Sequence, residues 1–127
     1  MNIGFLGLGK LGLPVSLAVE AKGHNVYGYD ISQQTLNDIK KRKIRYREEW
    51  VDKYLPNTKL KLLNINELVK KSEIIFVPIQ TPHDPLYEGV TKIPRKRVDF
   101  DYSYLISGLK DLSSAIEKNK EDKVVII

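Results

Sequence analysis

Cysteine is absent from the 127 residues. Disulfides, Cys-ligated zinc, iron–sulfur clusters and a cysteine nucleophile are thereby excluded. Histidine is scarce: His24 and His83 are the only two, too few for a His-rich metal site. No apolar run approaches the ~20 residues that cross a bilayer. Met1–Gly12 has no basic segment ahead of its apolar stretch and is interrupted by glycines, so it does not read as a signal peptide. The expectation is a cytoplasmic protein without membrane association.

What is present is ordinary for one globular domain. Hydrophobic residues make up 42% and charged residues 29%, within the usual range, and a chain of this length can close one core without staples. The net charge is +5, concentrated in Lys40, Lys41, Arg42, Lys43, Arg45 and Arg47, with a second small run at Arg95, Lys96 and Arg97. Such runs suit nucleic acid or nucleotide phosphates, but most often they are solvated helix ends. Tyr46 and Trp50 lie nearby, yet base-stacking platforms usually sit on strands, and nucleic-acid binding is not expected.

Short apolar runs alternate with amphipathic stretches. Strands are predicted at Asn2–Leu6, Asn25–Asp30, Lys59–Leu63, Glu73–Ile79 and Lys123–Ile127. Helices are predicted over Lys10–Lys22, from an N-cap at Ser32 to Lys41, over Arg47–Leu55 with Pro56 as the stop, over Ile65–Lys71, and over Asp101–Lys118 with Asp101 as N-cap. Leu11, Val15, Ala18 and Val19 recur at helical spacing in the first helix; Leu105, Leu109, Leu112 and Ile116 form the core stripe of the last. Gln80–Phe100 reads as a long loop with three prolines. Strand–helix alternation with uninterrupted β-rich runs predicts a doubly wound α/β fold of the Rossmann type: a mainly parallel sheet between two helical layers.

Gly7-Leu8-Gly9-Lys10-Leu11-Gly12 matches G-x-G-x-x-G. It follows a strand, opens a helix and is followed by Asp30 at the end of the next strand, the context that a dinucleotide fingerprint requires. Gly7 permits the tight turn, Gly9 lets a pyrophosphate approach the backbone, and Gly12 lets helix and strand pack closely. The helix N-terminus offers unpaired N–H groups and a positive dipole end. Asp30 would accept hydrogen bonds from ribose hydroxyls and repel a 2′-phosphate, which favours NAD over NADP; by itself it also reads as a turn former before Ser32. Lys10 occupies a variable position, and a solvent-facing side chain is its plainer reading. Thr81 lies at the carboxyl end of the strand expected beside the first, where ligands bind in open α/β sheets, although a Thr-Pro pair also suits a loop entry.

The stretch GFLGLGKLGLPVSLAVEAKGHNVYGYD is shared in kind by nucleotide-sugar dehydrogenases and β-hydroxyacid dehydrogenases. IIFVPIQTP (Ile74–Pro82), with its Thr81-Pro82 pair, then DFDYSYL (Asp99–Leu105) and KVVII (Lys123–Ile127) resemble the former, the UDP-glucose/GDP-mannose dehydrogenase family. The resemblance covers nearly the whole chain and is weak between Lys43 and Asn66. It implies an NAD-binding domain over residues 1–127, with Gly7, Leu8, Gly9, Lys10, Leu11, Gly12, Asp30 and Thr81 on the cofactor side. It also implies a role in polysaccharide biosynthesis through oxidation of a sugar primary alcohol to a carboxylate. In that family a cysteine, a lysine and other polar residues beyond this domain carry the chemistry. The expectation is therefore a cofactor domain cut at its last strand, without the substrate-binding domains and not catalytically complete alone. The nucleotide sugar would bind only if the missing domain were supplied, and an exposed docking face could drive self-association into a homodimer. The family's Glu-Pro-Gly element is replaced here by IRYREEWVDKYL (Ile44–Leu55), Thr35 stands near the place of a family basic residue, and HDPLYEG (His83–Gly89) is inserted. A β-hydroxyacid dehydrogenase domain and a non-catalytic nucleotide-binding module remain as alternatives. His24 reads as a surface turn residue, and His83 either as a loop residue or as a neighbour of the nicotinamide.

Overall fold

A computed structural model describes residues 1–87, 89, 90, 92 and 96–127. Among these residues five strands form one sheet: β1 (Asn2–Leu6), β2 (Asn25–Tyr29), β3 (Lys61–Leu62), β4 (Ile74–Phe76) and β5 (Val124–Ile126), in the order β3-β2-β1-β4-β5. All four pairings are parallel. The helices are α1 (Gly12–Ala21), α2 (Gln33–Lys40), α3 (Glu49–Tyr54), α4 (Ile65–Lys71) and α5 (Ser103–Asn119). The doubly wound Rossmann-type expectation is thus met.

Strand alternation divides the core between the two sheet faces. Ile3 and Phe5 point to one face, where Leu13 and Leu17 of α1, Ile39 of α2 and Val51 of α3 are buried against them. Phe76 stacks on Phe5 there, ring centroids 5.2 Å apart. Leu6, Ile75 and Val77 point to the other face, against Leu68 and Val69 of α4 and Leu112 and Ala115 of α5. Leu105, Leu109 and Ile116 pack partly buried onto this second cluster, so the stripe expected on α5 does face the core.

Several boundaries differ from expectation for local reasons. β4 ends at Phe76 rather than Ile79, because Pro78 has no N–H for the ladder. α3 begins at Glu49 rather than Arg47 and ends at Tyr54, ahead of Pro56 as expected, with the proline inside a 3₁₀ turn, Leu55–Asn57, that follows it. Ser32 does cap α2, its hydroxyl oxygen accepting from the Thr35 N–H at 3.2 Å. Asp101 is not the N-cap of α5: Tyr102 holds that place, and the Asp101 carboxylate accepts from the Ser103 N–H at 2.9 Å one step earlier. The Ser103 side chain and backbone together hold the Asp101 carboxyl below the ordinary carboxylate range. This anchor is complete above that range and is lost as the pH falls through the depressed value.

α1 turns inward the stripe adjacent to the one marked by apolar spacing. Gly12, Leu13, Ser16 and Leu17 are buried, whereas Leu11 is 65% exposed and Val15 lies at the surface. Small residues let this helix lie close to the sheet, and the Ser16 hydroxyl is satisfied by the Leu13 carbonyl at 2.7 Å. α4 makes an equally close approach at Ser72, whose hydroxyl is buried without a partner beside Gly4. Ser72→Ala removes an unsatisfied buried polar group, so a gain of about 1 kcal/mol is expected in a denaturant melt.

Candidate functional site

The site is set by strand register. Leu6 lies opposite Tyr29, so β1 and β2 release the chain side by side at their carboxyl ends. From β1 comes the Gly7–Leu11 turn, and from β2 comes Asp30. Gly7 has φ +114° and donates its N–H to the Tyr29 carbonyl at 2.8 Å. That positive φ is the left-handed region a glycine adopts without strain.

Asp30 ties the turn to β2. One carboxylate oxygen accepts from the Leu8 N–H at 2.7 Å, and the other accepts from the Ser32 N–H at 2.8 Å. Asp30 forms the turn before Ser32, as its turn-former reading expected, and it stands half-buried beside the glycine loop. The Leu8 side chain points away from the crevice and is 1% exposed, fitting where Gly28 of β2 has no Cβ; a Cβ there would lie 2.7 Å from Leu8 Cδ1. Leu8 therefore belongs to the turn through its backbone and to the core through its side chain.

The glycines at 9 and 12 serve different ends. A Cβ on Gly12 would stand 2.1 Å from the Gly7 carbonyl oxygen and 2.9 Å from Pro78 Cγ, so its absence is a packing requirement. A Cβ on Gly9 would meet nothing within 4 Å, and Gly9 is not among the positive-φ residues. Neither protein packing nor backbone strain explains a glycine there. The N–H groups of Gly9, Lys10, Leu11 and Gly12 have no acceptor among the described residues. α1 carries no side-chain N-cap bond and no acidic residue in its first turn. An uncapped helix start with free donors and open space in front of them is an anion site in the making. Lys10 is exposed at its rim, as is Leu11.

The chain leaves β1 for β2 and β3 on one side and returns to β4 on the other. The crevice between the carboxyl ends of β1 and β4 is therefore the switch point of the sheet, where ligands of open α/β sheets bind. Its second wall is the segment Val77–Thr81. Thr81 is half-buried on it, and the Pro82 carbonyl accepts from the Asp101 N–H at 2.8 Å, closing the base of the following loop. Sequence reasoning stressed Pro82 and missed Pro78, whose carbonyl would lie 3.3 Å from a Cβ on Gly7 and whose ring backs Gly12. A proline inside an apolar strand run was the available signal.

The remaining candidates stand away from this crevice or outside the described residues. Lys40, Lys41, Arg42, Lys43, Arg45 and Arg47 are all exposed, with Arg45 paired to Asp38 at 3.0 Å, as a solvated helix end would be. Within this run the Tyr46 hydroxyl is buried without a partner; burial, and to a lesser degree the charge of Glu48, push its phenol pKa up. His83, Lys96 and Arg97 are exposed, and Arg95 lies outside the described residues. Among its described residues the 80–100 segment forms a short 3₁₀ turn, Pro85–Tyr87, with the Asp84 carboxylate accepting from the Leu86 N–H at 2.9 Å. No group of metal-binding side chains occurs among the described residues. No helix among them is long and apolar enough to cross a membrane.

Comparison with known proteins agrees with this fold. Residues 1–127 match the family model described as the UDP-glucose/GDP-mannose dehydrogenase family, NAD binding domain. Protein CapL of Staphylococcus aureus is 35% identical over 83 residues, which are 65% of this chain and 19% of that protein. UDP-glucose 6-dehydrogenase of Rickettsia bellii is 29% identical over 124 residues, 94% of this chain and 26% of that one. The solved structure of GDP-mannose dehydrogenase from Pseudomonas aeruginosa superposes with a TM-score of 0.78 at 22% identity, covering 98% of this chain and 27% of that chain; the likeness is one of fold. This chain spans about a fifth to a quarter of the length of these relatives. It belongs to the UDP-glucose/GDP-mannose dehydrogenase family and corresponds to the family's NAD-binding domain.

Proposed function

We propose that the crevice between the Gly7–Gly12 turn and Thr81 is the NAD site, and that it serves oxidation of a nucleotide sugar to its uronate in a cytoplasmic step of polysaccharide biosynthesis. The observation that carries this reading is Gly9: a glycine with open space around it and no positive φ, standing before free N–H donors. The fit with a dinucleotide is chemical as well as spatial. The Gly9–Gly12 N–H groups and the α1 N-terminus would hold the pyrophosphate. Asp30, engaged by one backbone donor at each oxygen, keeps lone pairs for the ribose hydroxyls and sets a negative charge against a 2′-phosphate. Thr81 would present its hydroxyl from the opposite wall. Lys10 and Leu11 would flank the phosphates at the rim.

Bound NAD supplies the hydride acceptor; these 127 residues bind and orient it. No cysteine is available in the chain as a nucleophile, so the full oxidation is assigned to this domain acting with a sugar-binding counterpart.

Calorimetric titration tests the reading. NAD is expected to bind and NADP to bind more weakly. Asp30→Ala is expected to weaken NAD roughly 10- to 100-fold and to narrow the NAD/NADP gap, since it removes hydrogen bonds to a charged acceptor worth about 1.5–3 kcal/mol each. An unchanged NAD affinity in a folded Asp30→Ala protein would remove Asp30 from the site. A wild-type chain that is folded and does not bind NAD would overturn the assignment.

A further inference from the structure

We infer that a cavity between the start of β2 and the segment leading into β3, at the opposite end of the strands from the NAD crevice, binds a phosphate group, either free or as a small monoester. The cavity has a volume of about 290 Å³, and its lining includes Glu20 of α1, His24, Val26 of β2, Lys59 and Lys61. Val26 and Asp30 are four residues apart, ~13 Å along an extended chain, and the two sites share no residue.

The ladder leaves a backbone donor free at this place. The Asn25 N–H donates to the Met1 carbonyl at 3.0 Å, toward β1, and the Gly28 carbonyl accepts from the Leu63 N–H at 2.9 Å, on the β3 side. By alternation the backbone groups of Val26 also face the β3 side. The pair Tyr27–Lys61 opens the β2–β3 ladder. One rung earlier the Val26 N–H would meet the Lys59 carbonyl, yet it has no acceptor among the described residues. The cause is Glu20. Its carboxylate accepts from the Thr58 hydroxyl and, at 2.5 Å, from the Lys59 N–H, and the Thr58 hydroxyl oxygen accepts from the Leu60 N–H at 3.1 Å. These bonds turn residues 58–60 toward α1 and hold them off β2. Val26 is 3% exposed, and a buried N–H without an acceptor costs free energy that a bound anion offsets.

The surroundings select a phosphate. Lys59 and Lys61 are exposed, and neither has an ion-pair partner among the described residues. His24 is half-buried, and its imidazole carries at least one N–H donor in either protonation state. Glu20 is the acid of the lining, and each of its oxygens already accepts from a protein donor, so it competes weakly for the two ammonium groups. Two ammonium groups, an imidazole and a backbone N–H outnumber the two oxygens of a carboxylate. They suit the three terminal oxygens of a phosphate monoester. The cavity lies at the lower end of the range for small-molecule sites, with room for a phosphate on a short carbon chain.

Backbone amide NMR tests the site residue by residue. Inorganic phosphate added at constant ionic strength is expected to move the Val26 amide saturably, with a midpoint on the order of 1 mM. The Gly9–Gly12 amides report the other end of the sheet separately, so the result does not depend on the NAD assignment. Lys59→Gln combined with Lys61→Gln is expected to raise the midpoint at least ~10-fold, with the fold unchanged by circular dichroism. Glycerol phosphate distinguishes the two sources: tighter binding than inorganic phosphate assigns the cavity to a phosphorylated small molecule, weaker binding to the free anion, and either supports the site. A Val26 amide that does not shift saturably would overturn the proposal, since the cavity would then hold water alone. So would an equal shift with chloride, or an unchanged midpoint in the folded double variant.

Discussion

Gly9→Val is expected to leave the thermal melt nearly unchanged and to weaken NAD binding at least about 100-fold, or about 2.8 kcal/mol. The two halves of this result have separate causes. A Cβ at Gly9 meets no heavy atom within 4 Å, and the backbone there is not left-handed, so the fold gains no clash and no strain. A surface change of this kind costs within about 0.5 kcal/mol. The valine side chain would instead fill the space in front of the free N–H groups at the start of α1. A pyrophosphate held away from two such donors loses charge-assisted hydrogen bonds worth about 1.5–3 kcal/mol each. Differential scanning calorimetry together with NAD titration on the same sample checks both halves. Unchanged NAD affinity would show that the cofactor does not approach the turn. A collapse of stability would show that Gly9 has a packing role that the structure does not contain.

Gly12→Ala is expected to show the opposite pattern, with a large loss of stability and loss of binding as its consequence. The added carbon would lie 2.1 Å from the Gly7 carbonyl oxygen, 2.9 Å from the Gly7 carbonyl carbon and 2.9 Å from Pro78 Cγ. Two of these atoms are backbone and cannot rotate away. α1 must lift from the turn, which opens the contacts of Leu13 and Leu17 in the first core cluster. Overpacking of this severity costs about 3 kcal/mol, which for a chain of this size lowers the melting temperature by about 10 °C. The alanine has better helix propensity than the glycine by only about 1 kcal/mol, so the clash decides the sign. A melt within two or three degrees of wild type (about 1 kcal/mol or less) would mean that the helix start yields easily and that the close approach is not obligatory. Two glycines three residues apart thus separate a ligand requirement from a packing requirement by experiment.

The same distinction shows how far the residues alone could be read. G-x-G-x-x-G after a strand, an acidic residue at the end of the next strand and a Thr-Pro pair farther on are local patterns. Each reflects a short-range geometric need, and together they led to the correct fold, family and cofactor class. Helix and strand order were legible for the same reason: chain periodicity records which layer a segment joins. A boundary was less legible where proline acted against the apolar pattern, as at Pro78.

The inward face of α1 could not be read from spacing. Leu11, Val15 and Ala18 repeat as helically as Leu13 and Leu17, and apolar residues ring much of this helix. The choice was made by a contact between segments, the approach of Gly12 to Gly7 and Pro78, which no local period records. Leu8 was assigned to the cofactor side from its place in the motif, yet the empty Cβ position of Gly28 takes its side chain into the core. The grip of Asp30 on the Leu8 N–H likewise depends on the register of two strands. The sequence by itself determined a glycine turn, an acidic strand end and an alternating α/β chain, because those follow from steric and periodic rules along the backbone. Only the tertiary structure decided which glycine faces open space and which side chains fill the turn from behind, because each depends on what the other elements place beside it.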